Sequence, residues 1–247
     1  MAVFKILLIK WLTAVITFLA PVDMKHYLPE AMETVDQAKE RREQIATAIV
    51  NVVWDEDEKP IFSGKFGRAR TAMLLVGIAY MESGFRKDID TGVGKMARGD
   101  FGKSWCPMQM NLGKKKVQRD DGTWFEDSAE KTPEGWSGRD LVTDREKCYR
   151  AGLHAARGSI LKCSVGLAKK GTRMKKKVDG HVVEVTLEED QMVPLPFGDK
   201  LSAYATGSCL YNQAHSRSRI AKSFQLFEKF PPPAEPEKGE GFITLAP

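Results

Sequence analysis

Thr71-Ala72-Met73-Leu74-Leu75-Val76-Gly77-Ile78-Ala79-Tyr80-Met81-Glu82-Ser83-Gly84-Phe85 holds the longest apolar run in the middle of the chain. Apolar residues at Met73, Leu74, Leu75, Val76, Ile78, Ala79, Tyr80 and Met81, with no proline among them, predict a buried helix that is apolar almost all round. Gly84 is placed to supply the left-handed residue that ends such a helix, which puts Glu82 in its final turn, beside the negative end of the helix dipole. Burial and the dipole both disfavour a carboxylate, so both are expected to raise the pKa of Glu82 toward the range of a general acid. The plainer reading is a glutamate pointing into solvent from a frayed helix end.

Further blocks follow in order. A glycine-rich stretch, Thr91-Gly92-Val93-Gly94, precedes Arg98-Gly99-Asp100-Phe101-Gly102-Lys103-Ser104-Trp105-Cys106-Pro107-Met108-Gln109-Met110-Asn111, and Leu201-Ser202-Ala203-Tyr204-Ala205-Thr206-Gly207 comes later. Together with Glu82-Ser83 they resemble the lysozyme-like superfamily, specifically the soluble lytic transglycosylases and goose-type lysozymes, over residues 68 to 228. The resemblance implies a mainly α, lysozyme-like helical domain with small β-hairpin insertions beside a cleft. It assigns Glu82 as catalytic acid, Ser83 as the neighbouring serine that orients substrate or product groups, Gln109 as a cleft-lining glutamine and Tyr204 as the tyrosine near the acid. Asp100 resembles the first of the aspartates that goose-type lysozymes use to hold a hydrolytic water. Two positions depart from the pattern. Asn111 stands where goose-type enzymes place an aspartate, and Ala205 where the family usually has an asparagine after its tyrosine.

These departures bear on the reaction class. An inverting hydrolase needs a second carboxylate to activate water, whereas a lytic transglycosylase lets the substrate's own 6-hydroxyl attack and reuses one carboxyl as acid and then base. With one aspartate replaced, the expectation is a peptidoglycan lytic transglycosylase in which Glu82 works alone and leaves 1,6-anhydromuramoyl ends. A muramidase using Glu82 with Asp100 is the alternative, and Asp100 also reads as an ordinary turn aspartate between Gly99 and Gly102. A non-catalytic glycan-binding or phage structural protein is a further alternative, although it would have no chemical reason to keep Glu82. Cys106 with His154 or His215, as the nucleophile and base of a cell-wall amidase, lacks an independent signature.

At 247 residues with 42% hydrophobic side chains, the chain can bury one sizeable core. A net charge of +5, with lysine clusters at Lys114 to Lys116 and Lys175 to Lys177, favours an anionic partner such as a bacterial envelope. No nucleic-acid-binding motif accompanies the lysines, and solvated loop tips explain them equally well. Glycan strands are the expected partner, and no cofactor is called for. His26, His154, His181 and His215 lack zinc spacing, so no metal site is expected.

Cys106, Cys148, Cys163 and Cys209 allow three pairings, and an even set suggests an oxidising compartment. From parity and the order of the blocks, the preferred pairing is Cys106 with Cys148 and Cys163 with Cys209; reduced, buried thiols are the alternative. Residues 1–22 resemble a signal peptide or anchor, with Lys5 and Lys10 and the apolar run Trp11 to Ala20, though Pro21 leaves no good cleavage site. An interfacial helix or an ordinary core helix fits as well. The expectation is an exported chain, periplasmic, envelope-associated or extracellular, or one carried on a virion if phage-encoded.

The remaining segments read as an N-terminal helical extension (23–67), the catalytic domain (68–230) and a proline-rich flexible tail (231–247). Glu30 to Val53 carries an approximate helical stripe of Ala31, Val35, Ala38, Ile45, Ala48, Ile49 and Val52. The acidic run Asp55 to Glu58 reads as a solvated turn. Asp121-Gly122 and Asp179-Gly180 mark hairpins over 117–127 and 178–187. Trp124 and Trp136 read as packing rather than sugar-stacking residues. Asp140 to Ser159, capped by Thr143 or Asp144, and Arg217 to Phe230 read as further helices.

Overall fold

A computed structural model describes residues 2–22, 28–94, 96–178, 181–209 and 213–234. The Asp179-Gly180 turn and all of the tail beyond residue 234 lie outside the described residues. The fold is mainly α, and the chain divides into two compact units, residues 1–153 with 222–247, and residues 154–221.

The first unit is built on three long helices, α1 (Ala2–Leu19), α2 (Val35–Val53) and α3 (Gly67–Ser83). α1 is a packed element of this core: Leu8, Leu12, Val15, Ile16 and Leu19 are buried, and its main neighbour is α2. Trp11 donates its indole N–H to the carbonyl of Phe230 at 2.9 Å, and the rings of Phe18 and Phe230 meet at 5.3 Å, so the apolar N-terminal helix is tied to Phe230. Among the described residues no helix is long and apolar enough to cross a membrane.

α2 begins at a reciprocal capping box in which Thr34 accepts from the Gln37 amide and Gln37 accepts from the Thr34 amide. Its C-terminal carbonyls are held by α3, because the Arg68 guanidinium donates to the carbonyls of Val53 and Asp55. α3 starts where the chain turns sharply at Phe66 (φ 63°), and Gly67 admits no side chain, since a Cβ there would lie 2.3 Å from the Phe62 carbonyl oxygen. Along α3 nearly every side chain from Ala69 to Ala79 is buried, as its unbroken apolar run requires. The acidic run after α2 is not simply a solvated turn. Arg150 pairs with Asp55 at 2.8 Å and with Glu58 at 3.1 Å, and Glu58 is buried.

After α3 come the short α4 (Lys87–Thr91), a two-residue ladder β1 (Ser104–Trp105) with β2 (Met110–Asn111), and the hairpin β3 (Lys115–Gln118) with β4 (Trp124–Asp127). Lys115 and Lys116 therefore belong to a paired strand, not a loop tip. The single helix expected over 140–159 is two: α5 (Gly138–Thr143) and α6 (Arg145–Lys162). Asp144 leaves helical geometry (φ −132°, ψ 104°) and its carboxylate accepts from the amides of Glu146 and Lys147, so it caps the second helix by interrupting the first.

The second unit pairs β5 (Val165–Ala168) with β8 (Gln191–Pro194), and β6 (Arg173–Val178) with β7 (His181–Thr186), all antiparallel. It adds α7 (Ser202–Thr206), and the division between the units falls within α6 and within α8 (Gln213–Lys229). Inside this unit Arg217 chelates the buried Asp199, and Ser216 bridges the Leu201 amide and the Gly198 carbonyl.

Candidate active site

The C-terminal turn of α3 carries Glu82. Gly84 ends the helix at φ 58°, its amide donating to the Tyr80 carbonyl at 2.8 Å. Phe85 follows, also at positive φ (54°), and drives its ring into the core, where it is 1% exposed. Ser83 closes the corner: its hydroxyl donates to the Ala79 carbonyl at 2.7 Å and accepts the Phe85 amide at 3.2 Å. Glu82 is thus fixed between a rigid helix and an anchored aromatic ring. Its side chain is half-buried, with Oε1 removed from solvent. Ser83, read in the sequence as orienting substrate, has its hydroxyl engaged by two backbone groups and is buried, so it positions the helix end that bears Glu82.

The second element is the strained hairpin 99–111. Four non-glycine residues here, Asp100, Phe101, Cys106 and Gln109, have φ between 49° and 58°, a region that disfavours side chains with a Cβ. Such geometry persists only where the surroundings over-determine it, and here they do. Gln109 bridges the base of the turn, its Oε1 accepting the Gly99 amide at 3.1 Å and its Nε2 donating to the Cys106 carbonyl at 3.0 Å. Gly99 leaves room for that bridge, because a Cβ would lie 2.2 Å from Gln109 Oε1 and displace the amide. Trp105 is buried, donates its indole N–H to the Gly113 carbonyl and lies under the Arg98 guanidinium at 4.5 Å. Arg98 also reaches Glu126 on β4 at 3.1 Å. A disulfide from Cys106 to Cys148 fastens the hairpin to α6.

This frame displays Asp100 and Phe101. Asp100 is exposed, and its Oδ2 accepts hydrogen bonds from the Ser104 hydroxyl at 2.6 Å and from the Asn111 amide at 3.4 Å. Ser104 and Asn111 are register partners in the β1–β2 ladder, so both donors are supplied by one rung of the hairpin. Asn111 is therefore a donor to Asp100, a role an aspartate could not fill. Phe101 is 94% exposed.

The structure brings Asp100, Gln109 and Asn111 into one hairpin, and Ser83 beside Glu82. Gln109, expected to line a cleft, has both ends of its amide occupied by backbone and shapes the turn. Tyr204 lies on α7 in the other unit and is half-buried. Ser104, Phe101 and Arg98 were not singled out by the sequence. The only available signal was their place between Gly99 and Asn111. The second disulfide, Cys163 to Cys209, belongs to the second unit, so the expected pairing is the one observed. Two disulfides fit an oxidising, exported environment. Among the described residues no group of three or more His, Cys, Asp or Glu is arranged to hold a metal ion. Comparison of the chain with protein-family models, with curated proteins and with solved structures finds no match.

Proposed function

We propose that the chain is a peptidoglycan lytic transglycosylase that cleaves the β-1,4 bond between N-acetylmuramic acid and N-acetylglucosamine. The observation that carries this reading is the setting of Glu82: a carboxyl at the carbonyl end of a buried helix, with one oxygen out of solvent, locked in place by Ser83, Gly84 and Phe85. Glu82 gives its proton to the glycosidic oxygen as the bond to the muramoyl anomeric carbon breaks. The 6-hydroxyl of the same muramoyl residue then attacks that carbon, and Glu82 takes the hydroxyl proton back, so the carboxyl is restored and the product ends in a 1,6-anhydro ring. No second carboxylate is required. The resemblance of the Glu82-Ser83, Gly99-Asp100, Met108-Gln109 and Tyr204 blocks to lysozyme-like enzymes supports the substrate class.

A second reading, a muramidase, is favoured by one observation. Both hydrogen bonds to Asp100 fall on Oδ2, and among the described residues Oδ1 has no protein partner. An exposed carboxylate oxygen is what holding a hydrolytic water requires. Mass spectrometry of the products from purified sacculi separates the two: anhydro ends support the transglycosylase, and reducing ends support the hydrolase. Cleavage that continues unchanged in Glu82→Gln removes Glu82 from either mechanism.

A further inference from the structure

Between α1, α2 and the segment that follows Glu82 lies a cavity of about 280 Å³. Leu19, Ala31 and the buried Phe85 give it an apolar wall, and Arg41, Arg42, Arg86 and Lys87 bring four cations to it against one carboxylate, Glu33. Three of those cations have protein partners. Arg41 holds Glu33 with two bonds at 2.5 and 2.8 Å, Arg86 grips Asp88 at 2.5 and 3.0 Å, and Lys87 donates to the Met32 carbonyl at 3.0 Å. The nearby buried Asp90 is taken by Arg145 at 2.6 Å, with Arg41 at 3.9 Å.

Arg42 is the exception. It is 3% exposed, and among the described residues its Nε is buried with no hydrogen-bond partner and no carboxylate comes within 4.0 Å of its guanidinium. Burial pulls its pKa below the usual arginine value, with the neighbouring Arg41 acting in the same direction, while Glu33 opposes the shift. A buried guanidinium stays charged and needs a counter-charge. Glu33, Asp88 and Asp90 are each committed to another cation.

We propose that this cavity is a binding site for a small oxyanion, a phosphate or carboxylate group, received by Arg42 with Lys87 at its edge and the apolar wall beside it. The planar fork of Arg42 matches two oxygens of either group. The cavity includes Gly84, Phe85, Arg86 and Lys87, so an occupant braces the chain directly after Glu82. The site stands whether or not Glu82 is catalytic.

The test is urea denaturation of the full chain in sodium phosphate, sodium acetate or sodium chloride at matched ionic strength and pH, with amide hydrogen exchange across residues 84–87. Phosphate or acetate at about one hundred times its Kd shifts the folding equilibrium about 100-fold over chloride, and exchange at 84–87 slows. A gain in phosphate alone identifies a phosphate group, and a gain in acetate identifies a carboxylate. Arg42→Met loses the gain while remaining folded, because removing an unpaired buried charge relieves a penalty. Lys87→Met keeps Arg42 and is expected to weaken binding about tenfold through the lost charged donor, which serves if the first variant does not fold. No gain over chloride in either anion overturns the proposal, and so does a gain that survives undiminished in the variants.

Discussion

Glu82 and Asp100 stand in opposite surroundings. Glu82 is carried by a 17-residue helix whose side chains are mostly buried, and the turn beyond it is pinned by a core phenylalanine. Asp100 stands in solvent on a hairpin with a two-residue ladder, held by side-chain hydrogen bonds, a stacked arginine and a disulfide. The helix end keeps its shape through packing, whereas the hairpin keeps its shape through specific bonds that oppose its own backbone preferences. Each region is therefore vulnerable in a different place. The helix end is expected to tolerate loss of a single polar contact better than the hairpin.

The two carboxyls differ most in what their removal should do to activity. Glu82→Gln keeps shape and volume but cannot donate a proton, so sacculus cleavage is expected to fall about 10²- to 10⁴-fold with little change in thermal midpoint. Asp100→Asn is expected to alter the rate less than about tenfold, leaving anhydro ends as the product. Steady-state turbidity assays on both variants measure this directly. Equal losses in the two would make the exposed carboxyl a partner in the reaction and replace the one-carboxyl mechanism with the hydrolytic one.

The next effect concerns the covalent tie. Cys106–Cys148 closes a loop of 42 residues, for which chain entropy gives a stabilisation of about 4 kcal/mol. The Cys106→Ser/Cys148→Ser double variant is expected to lose most of this in urea melts. Its hairpin amides should exchange before those of α3 as denaturant rises. Simultaneous exchange of both regions would show that helix end and hairpin open as one body.

The helix end was legible in the sequence because its causes are local: a proline-free apolar run and a glycine at the stop. The disulfide pairing was legible from parity and the order of the blocks. The hairpin's geometry was not, since Asp100, Phe101, Cys106 and Gln109 adopt left-handed φ values that none of these residue types announces, and the bonds that compel them come from Gly99, Ser104 and Asn111 only after folding. Asp144 was legible as a cap but not as a break between two helices, because its flanking segments share one helical pattern. Arg42 is the instructive case. It falls with Arg41 between Ala38 and Ile45 on the buried stripe of α2, so a charge on the apolar face was visible, but only the folded surroundings show that its neighbours' carboxylates are already taken.

Two glycines sharpen the contrast between packing and bonding. At Gly84 a Cβ would meet nothing within 4 Å, so Gly84→Ala suffers only from its φ of 58° and should cost about 1 kcal/mol. At Gly99 the obstacle is Gln109 Oε1 at 2.2 Å. Gly99→Ala must expel that side chain, leaving the Gly99 amide without its acceptor, and is expected to cost about 2–3 kcal/mol. Chemical denaturation of the pair checks the order. A Gly84→Ala variant less stable than Gly99→Ala would mean that the helix end, not the hairpin, is the region under strain.

The smallest effect lies beneath the hairpin. Gly138, in the first turn of α5, presses against the ring of Trp105, where a Cβ would come within 2.2 Å, so the start of α5 is the floor on which the hairpin rests. That start is fixed by the capping box of Ser137 and Asp140, and the Ser137 amide hydrogen bond is the main reason the Asp140 carboxyl titrates below its ordinary value of 3.8. A carboxyl whose folded pKa is depressed contributes stability fully above its unfolded pKa and loses it as pH falls through the folded value. Acid below about pH 4 should therefore loosen the hairpin floor, by no more than about 0.5 kcal/mol once solvent screens this largely exposed carboxyl. Asp140→Asn should reproduce most of that loss at neutral pH and flatten this part of the acid dependence. Tryptophan fluorescence followed from pH 6 to pH 2.5 in wild type and variant reads the difference, and because α3 carries no tryptophan, a matched acid response in the two proteins would move the origin of the effect away from this cap.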